Sequence, residues 1–111
     1  MAHQVVRISV QEMQERFEEE GLRFPEDIGV SLHPIIPTPI GPRLRECFPP
    51  GTMTVMLSYV NDETGEEVAR AHTFQDPEGN ILASGIPDPK RLLIGNTLYI
   101  VESQPLRPCY E

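Results

Sequence analysis

Residues 66–101 constrain the fold most, because polar and apolar side chains alternate there in short runs separated by turn sequences. A period of two is typical of strands whose two faces have different surroundings. The sequences at 76–79 (DPEG) and 95–96 (GN) contain the residues that tight turns require. We therefore predict a series of antiparallel strands here, at residues 67–74, 81–84, 92–94 and 97–101.

A helix is predicted over residues 10–20. Ser9 and Glu12 have the spacing of a capping box, in which each side chain accepts a hydrogen bond from the other residue's amide. Gly21 stands where a left-handed residue would end the helix. The residues that recur on one face at helical spacing are Val10, Met13 and Phe17.

The proline-rich segment is residues 25–50, which contains seven of the 12 prolines. Proline lacks an amide donor and restricts φ, which excludes a long helix or a central strand. Because the segment is also rich in Ile, Leu and Val, we predict an extended strap lying over the sheet, with a short strand at 28–32. The PxxP spacings at 34–37 and 39–42 would also suit a ligand of an SH3-like domain.

Together these patterns predict an α+β fold: one N-terminal amphipathic helix, a curled antiparallel sheet of four or five strands and a proline-rich strap. A chain of 111 residues has room for one domain, so we expect a single unit over 1–111. Within it, the helix would occupy 10–20, the strap 25–50 and the sheet 52–102. A short strand is also expected at 4–8.

The net charge of −8 disfavours nucleic-acid binding, because affinity for phosphates depends on Lys and Arg and no basic stripe is present. The same charge suits a basic protein partner or mimicry of nucleic acid. We find neither a run of about 20 apolar residues nor a signal peptide, so we expect a cytoplasmic protein without membrane contact.

Cys47 and Cys109 lie in no metal-binding motif, and we expect no metal and no cofactor. The two could pair, although two reduced thiols are the expectation for a chain without a secretion signal.

Arg70 and His72 are two residues apart in a predicted strand, so they lie on the same face. Their Cα atoms would be about 7 Å apart. A His that titrates near neutrality beside an Arg could act as a general base with an anion clamp. The other interpretation is a surface His on a half-exposed strand, which we favour because no nucleophile or second carboxylate lies at a recognisable spacing.

A second candidate site is the sequence 84–91 (SGIPDPKR). Asp88 could cap a short helical turn that begins at Pro89, with Lys90 and Arg91 projecting beside it. These residues could bind a phosphate or a carboxylate. The alternative, which we favour because connections rich in Pro and Gly are usually structural, is a rigid corner between two strands.

Residues 70–79 (RAHTFQDPEG) resemble the hairpin of TumE-type toxins, small bacterial proteins of toxin–antitoxin pairs. The stretch from His72 to Arg91 is also similar to short uncharacterised bacterial proteins with an HxxxxPxGxxxxSGxPDPK-like pattern. The first resemblance implies a toxin activity, whereas the second implies no activity.

The function expected from these observations is non-enzymatic binding of another protein, by a small acidic module of bacterial or phage origin. The alternatives are a small nuclease- or hydrolase-like toxin that uses His72 and Arg70, and an acidic mimic of nucleic acid. The oligomeric state is left open.

Overall fold

The computed structural model describes residues 4–83 and 85–102, apart from the side chain of Arg43. It has an α+β fold, as predicted, with one α-helix among the described residues, α1 (Val10–Glu19). The strands are β1 (Gln4–Ile8), β2 (Val30–Pro34), β3 (Thr38–Pro39), β4 (Met53–Asn61), β5 (Glu67–Gln75), β6 (Asp88–Ile94) and β7 (Thr97–Val101).

All seven strands belong to one sheet, in the order β1-β7-β6-β5-β4-β2, and β3 also pairs with β4. The sheet is mixed, because β1 runs parallel to β7 while the other pairs are antiparallel. Our prediction of a purely antiparallel sheet of four or five strands was therefore wrong. The parallel pair joins segments far apart in the chain, and local alternation carries no information about such pairing.

The helix begins as its sequence predicts. Ser9 Oγ accepts a hydrogen bond from the amide of Glu12 at 3.1 Å. The Glu12 carboxylate does not complete the predicted capping box but pairs with the Arg16 guanidinium at 2.8 Å. Gly21 adopts the left-handed conformation, with φ +77°, directly after the helix.

The core lies between α1 and one face of the sheet. Met13 and Phe17 on the helix are 0% and 3% exposed. They belong to one core cluster with side chains from five strands: Ile8, Val30, Val55, Leu57, Tyr59, Ala69, Ala71 and Leu92. The small residues Ala69 and Ala71 of β5 thus face the helix, as their size suggests. The other face of β5 carries Arg70 and His72 together with the apolar Val68 and Phe74.

The proline-rich segment, predicted as a strap over the sheet, contributes two strands to the sheet itself. Part of it forms β2 and β3, which pair with β4. Two 3₁₀ turns, Pro25–Ile28 and Pro42–Leu44, flank them. Prolines are tolerated here because an edge strand needs hydrogen bonds on one side only. Phe48 from the same segment stacks on Phe74, with ring centroids 4.6 Å apart.

Asp88 and Pro89 begin β6, so the predicted helical turn capped by Asp88 is wrong. Pro89 lies opposite Ala71, beside a bulge in the pairing of β5 with β6. Because β6 pairs with β7 only from Arg91 to Ile94, the missing amide of Pro89 costs no hydrogen bond to β7. A proline is therefore accommodated in a strand that is internal to the sheet.

Two other expectations are corrected. The strand predicted at 81–84 is reduced to a single bridge between Ile81 and Gln75, and Ser84 lies outside the described residues. Cys47 is disulfide-bonded, in contrast to the expected reduced thiol. The other cysteine, Cys109, lies outside the described residues. No helix among the described residues is long and apolar enough to cross a membrane.

Candidate functional site

The five residues predicted as site candidates lie side by side on β5 and β6. His72 is opposite Asp88, and Arg70 is opposite Arg91. The register shifts between Arg70 and Ala71, which leaves Lys90 as the extra residue between the two pairs. The structure therefore brings the candidates together by strand pairing rather than by the turn that we expected.

His72 is partly buried and engaged by its neighbours. Its Nε2 shares a hydrogen bond with Thr54 Oγ1, and its ring meets the Phe74 ring edge-on, with centroids 4.6 Å apart. Burial lowers the pKa of His72, and Lys90 lowers this pKa further, while Asp88 opposes the shift. The imidazole is consequently neutral at pH 7, with one donor and one acceptor nitrogen.

Three of the charged candidates, Arg70, Asp88 and Lys90, form ion pairs along their own strands. Arg70 Nε donates to Glu67 Oε1 at 2.7 Å, and the other oxygen of Glu67 accepts from Ser58 Oγ. Lys90 Nζ lies 2.7 Å from Asp88 Oδ2. All four ionised side chains are 30–39% exposed, and pairs this exposed contribute only about 0–1 kcal/mol. Their charges are compensated locally.

Three of the candidates line cavities, and these three are divided between two of them. A cavity of about 300 Å³ lies beside His72 and Asp88. Its remaining walls are mostly apolar: Gln14, Thr73, Phe74, Leu82, Ala83, Ile86 and Pro87. Arg70 does not line this cavity, and Arg91 lines a different one of about 100 Å³. The cavity beside His72 thus lacks the Arg70 side chain that an anion clamp would need.

A neighbouring cavity of about 200 Å³ runs between α1, the turn that follows it, β2 and residues 86–87. We call it the helix groove. Its lining residues are Gln14, Phe17, Glu18, Leu22, Arg23, Phe24, Pro25, Leu32, Tyr59, Ile86 and Pro87. Three of them, Gln14, Ile86 and Pro87, also line the cavity beside His72, so the two cavities adjoin.

The helix groove has a buried floor and an exposed apolar rim. The floor consists of side chains that are at most 3% exposed: Phe17, Leu22 and Tyr59. On the rim, Phe24 is 59% exposed and Leu32 38% exposed. Exposed single apolar residues are ordinary, but several of them around one concave surface mark an interaction site.

Tyr59 supplies the one polar group in this floor. Its ring is 2% exposed, and within the described residues its hydroxyl has no hydrogen-bond partner. Every fully buried side-chain nitrogen or oxygen among the described residues has a hydrogen-bond partner. The Tyr59 hydroxyl is therefore not fully buried and keeps some contact with solvent. The helix groove is the cavity that Tyr59 lines. A group bound in the groove could replace the solvent at this hydroxyl.

The surroundings of the helix groove are acidic. Between residues 18 and 27 the acidic side chains are Glu18, Glu19, Glu20, Glu26 and Asp27, against a single basic one, Arg23. Arg23 already lies 3.5 Å from the Glu18 carboxylate. Of these charged residues, Glu18 and Arg23 are the two that line the helix groove, and they compensate each other.

Sequence reasoning did not identify Phe24, Leu32 or Ile86 as site residues. They come from three separate segments, and neither their exposure nor their proximity follows from local patterns. The one available signal was the acidic end of the helix. The carboxylates of Glu18–Glu20 lie at the negative end of the helix dipole, a local conflict that can mark a functional surface.

Within residues 4–83 and 85–102, no three His, Cys, Asp or Glu side chains are grouped in a way that could hold a metal ion. Comparisons of the chain with protein-family models, with curated proteins and with solved structures found no match. The site must therefore be interpreted from its own geometry.

Proposed function

We propose that this protein is a non-enzymatic binding module that docks a segment of another protein in the helix groove. The observation that carries the proposal is the exposed apolar rim around a concave, buried aromatic floor. A cavity of about 200 Å³ is smaller than typical small-molecule sites, which measure about 300–1,000 Å³. It suits a single anchoring side chain of a protein partner, the usual centre of a binding interface.

The state of the polar candidates favours binding over catalysis. Arg70 and Asp88 are held in ion pairs, and His72 is bonded to Thr54. Catalysis by His72 and Arg70 would require both groups to reach the same substrate, and Arg70 does not line the cavity beside His72. The toxin alternative has only the local resemblance of residues 70–79 in its favour.

The experiment is affinity capture with three forms of the full chain: wild type, Phe24→Glu and Val5→Glu. Val5 is the matched control, because it is also an exposed apolar residue, at 54% exposure. It lies on β1, at the opposite edge of the sheet from β2. We expect a stoichiometric partner with the wild type and with Val5→Glu, and its loss with Phe24→Glu.

Capture that is equal for all three forms, or absent from the wild type, would contradict the proposal. Growth of bacteria expressing the chain distinguishes the toxin alternative. Growth inhibition that His72→Ala abolishes would favour that alternative, whereas harmless expression agrees with a binding module.

A further inference from the structure

The face of the sheet that is turned away from α1 carries a row of arginines. Arg7 in β1 lies opposite Ile100 in β7, which lies opposite Arg91 in β6. Arg91 in turn lies opposite Arg70 in β5. Because successive side chains of a strand point to opposite faces, these arginines face away from their sequence neighbours in the core: Ile8, Leu92 and Ala69. We call Arg7, Arg91 and Arg70 the arginine row.

The positive charge of the arginine row is not balanced. None of the ion pairs among the described residues includes Arg7 or Arg91. Glu67 lines a small cavity together with Arg91. However, its two carboxylate oxygens already accept hydrogen bonds from Arg70 Nε and Ser58 Oγ. Two of the three arginines are therefore without a carboxylate of their own.

The direct opposition of Arg70 and Arg91 works against the stability of the sheet. Side chains directly opposite each other on neighbouring strands are about 5 Å apart at Cβ, and like charges in this position repel. An acidic residue at position 91 would replace this repulsion by attraction, and the chain is otherwise rich in acidic residues, with 17 against 9 basic ones. A local conflict of this kind is expected where a surface has a function besides stability.

A row of apolar residues runs beside the arginine row. It consists of Val5, Leu98 and Leu93, which pair across β1, β7 and β6. Val5 is 54% exposed, and the two leucines are partly exposed. Since neighbouring strands are about 4.8 Å apart, the arginine row extends over about 14 Å. A ligand that covers both rows needs several anionic groups along one side and apolar groups along the other.

We propose that this face of the sheet is a second binding surface, which takes an acidic, amphipathic segment of a protein partner. Carboxylates of the segment pair with Arg7 and Arg91, and its apolar side chains lie on Val5, Leu93 and Leu98. Charge-assisted hydrogen bonds between arginine and carboxylate are strong and directional, so the row also sets the orientation of the segment. A single small anion would leave most of the 14 Å row and all of the apolar row uncovered.

The chemistry of the surface favours a protein segment over a nucleic acid. A nucleic-acid backbone offers phosphates to the arginines but no apolar side chains to the leucines. A net charge of −8 also repels a polyanion over a long range, whereas a short segment with a few carboxylates is repelled much less.

The test uses random peptides displayed on phage as the probe and the full-length chain as bait. Among selected peptides that still bind Phe24→Glu, and so do not depend on the helix groove, we expect enrichment in Asp and Glu together with large apolar residues. Synthetic copies should bind about tenfold more weakly when NaCl is raised from about 0.05 to about 0.5 M, because the ion pairs are screened. The absence of such peptides would overturn the proposal.

Arg91→Gln tests the arginine row directly. It should weaken binding of these peptides about tenfold, the loss of a hydrogen bond to a charged group. Arg45→Gln removes the same charge at an exposed site outside the row and should have little effect. Equal losses in the two variants would contradict the proposal.

Thermal unfolding separates binding from a structural role of Arg91. Because Arg91→Gln removes a repulsion with Arg70, its midpoint should equal or exceed that of the wild type. A midpoint lowered by more than about 5 °C would show that Arg91 stabilises the fold, and would overturn the proposal.

Val5→Glu and Phe24→Glu distinguish the two binding surfaces. Val5→Glu places a carboxylate beside Arg7 and should weaken the acidic peptides, whereas Phe24→Glu should not. The reverse is expected for the partner of the helix groove, so either surface can fail without the other.

Other occupants of the surface have their own signatures. Binding of fluorescently labelled single-stranded DNA that Arg91→Gln abolishes would assign the arginine row to phosphates and overturn the protein segment. Self-association in sedimentation experiments that Arg91→Gln abolishes would assign it to a second copy of this chain, with the same consequence.

Discussion

Phe17 of α1 meets Tyr59 of β4 edge to face, with ring centroids 5.2 Å apart and ring planes at 88°. This contact has two roles. It joins the helix to the sheet at the centre of the core, and its outer side forms the floor of the helix groove. Edge-to-face pairs contribute about 0.5–1.5 kcal/mol beyond the burial of their area. The same pair of rings therefore stabilises the fold and lines the proposed binding groove.

Tyr59→Phe separates these two roles. The substitution keeps the ring contact with Phe17 and removes only a hydroxyl without a partner in the described part of the chain, so we expect the free energy of unfolding to change by less than about 0.5 kcal/mol. The affinity for a peptide bound in the helix groove should fall about three- to tenfold, the loss of one neutral hydrogen bond. Urea unfolding and fluorescence anisotropy measure the two effects. A destabilisation above about 2 kcal/mol would mean that the hydroxyl has a structural partner.

Met13→Ala should lower the free energy of unfolding by about 2–5 kcal/mol, because it leaves a cavity between the helix and the sheet. Met13 is 0% exposed and belongs to the core cluster. Gln11→Ala on the exposed side of the same helix is the control and should change this energy by less than about 0.5 kcal/mol. Similar urea midpoints for the two variants would contradict the packing of α1 on the sheet.

Ser9→Ala should cost about 1 kcal/mol of stability, because the amide of Glu12 loses its capping acceptor. Ser9→Asp retains an acceptor at the same position and should restore most of the loss. Thermal unfolding of the three forms by circular dichroism checks this expectation. If Ser9→Asp is as unstable as Ser9→Ala, the cap is not the cause.

His72 should make the protein less stable in mild acid. Burial lowers its pKa below the ordinary value of 6.5, so between 6.5 and the lowered pKa the unfolded chain binds a proton that the folded chain does not. The contribution to stability is therefore greatest above pH 6.5 and is lost as the pH falls through the lowered pKa. Lys90 and Asp88 are the charged groups that act on this pKa, while the residues facing His72 from β4, Thr54 and Met56, are uncharged.

The measurement is urea unfolding of wild type and His72→Gln at pH 7.5 and pH 5. We expect the stability difference between the two forms to shift in favour of His72→Gln at pH 5, since Gln does not titrate. Arg70→Gln is the control, because Arg70 stays charged at both pH values. An unchanged difference would show that the surroundings of His72 do not disfavour its protonation.

The elements that could be predicted from the sequence are those specified by neighbouring residues. Ser9, Met13, Phe17 and Gly21 predict the helix and both of its ends, and the helix lies where they place it. The turn at Gly95 joins β6 to β7 with a positive φ of 60°. In each case the hydrogen bonds, side-chain spacing and backbone angles involved act over a few residues.

The elements that could not be predicted depend on partners distant in the chain. Pro89 has the local chemistry of a turn, yet it lies in β6 because the bulge opposite Ala71 accommodates it. Likewise β1 was predicted as a strand at 4–8, but its parallel pairing with the distant β7 was not. Neither arrangement leaves a periodic signal in its own segment.

For the candidate site, the sequence by itself determined which side chains could be polar or charged, including Arg70, His72 and the acidic end of the helix. Only the tertiary structure decided that Arg70 does not line the cavity beside His72, and that Phe24 and Leu32 line one groove with Tyr59. The physical reason is that alternation and capping act over a few residues. Cavities form where segments far apart in the chain pack incompletely, and the exposure of their rims is settled only when those segments meet.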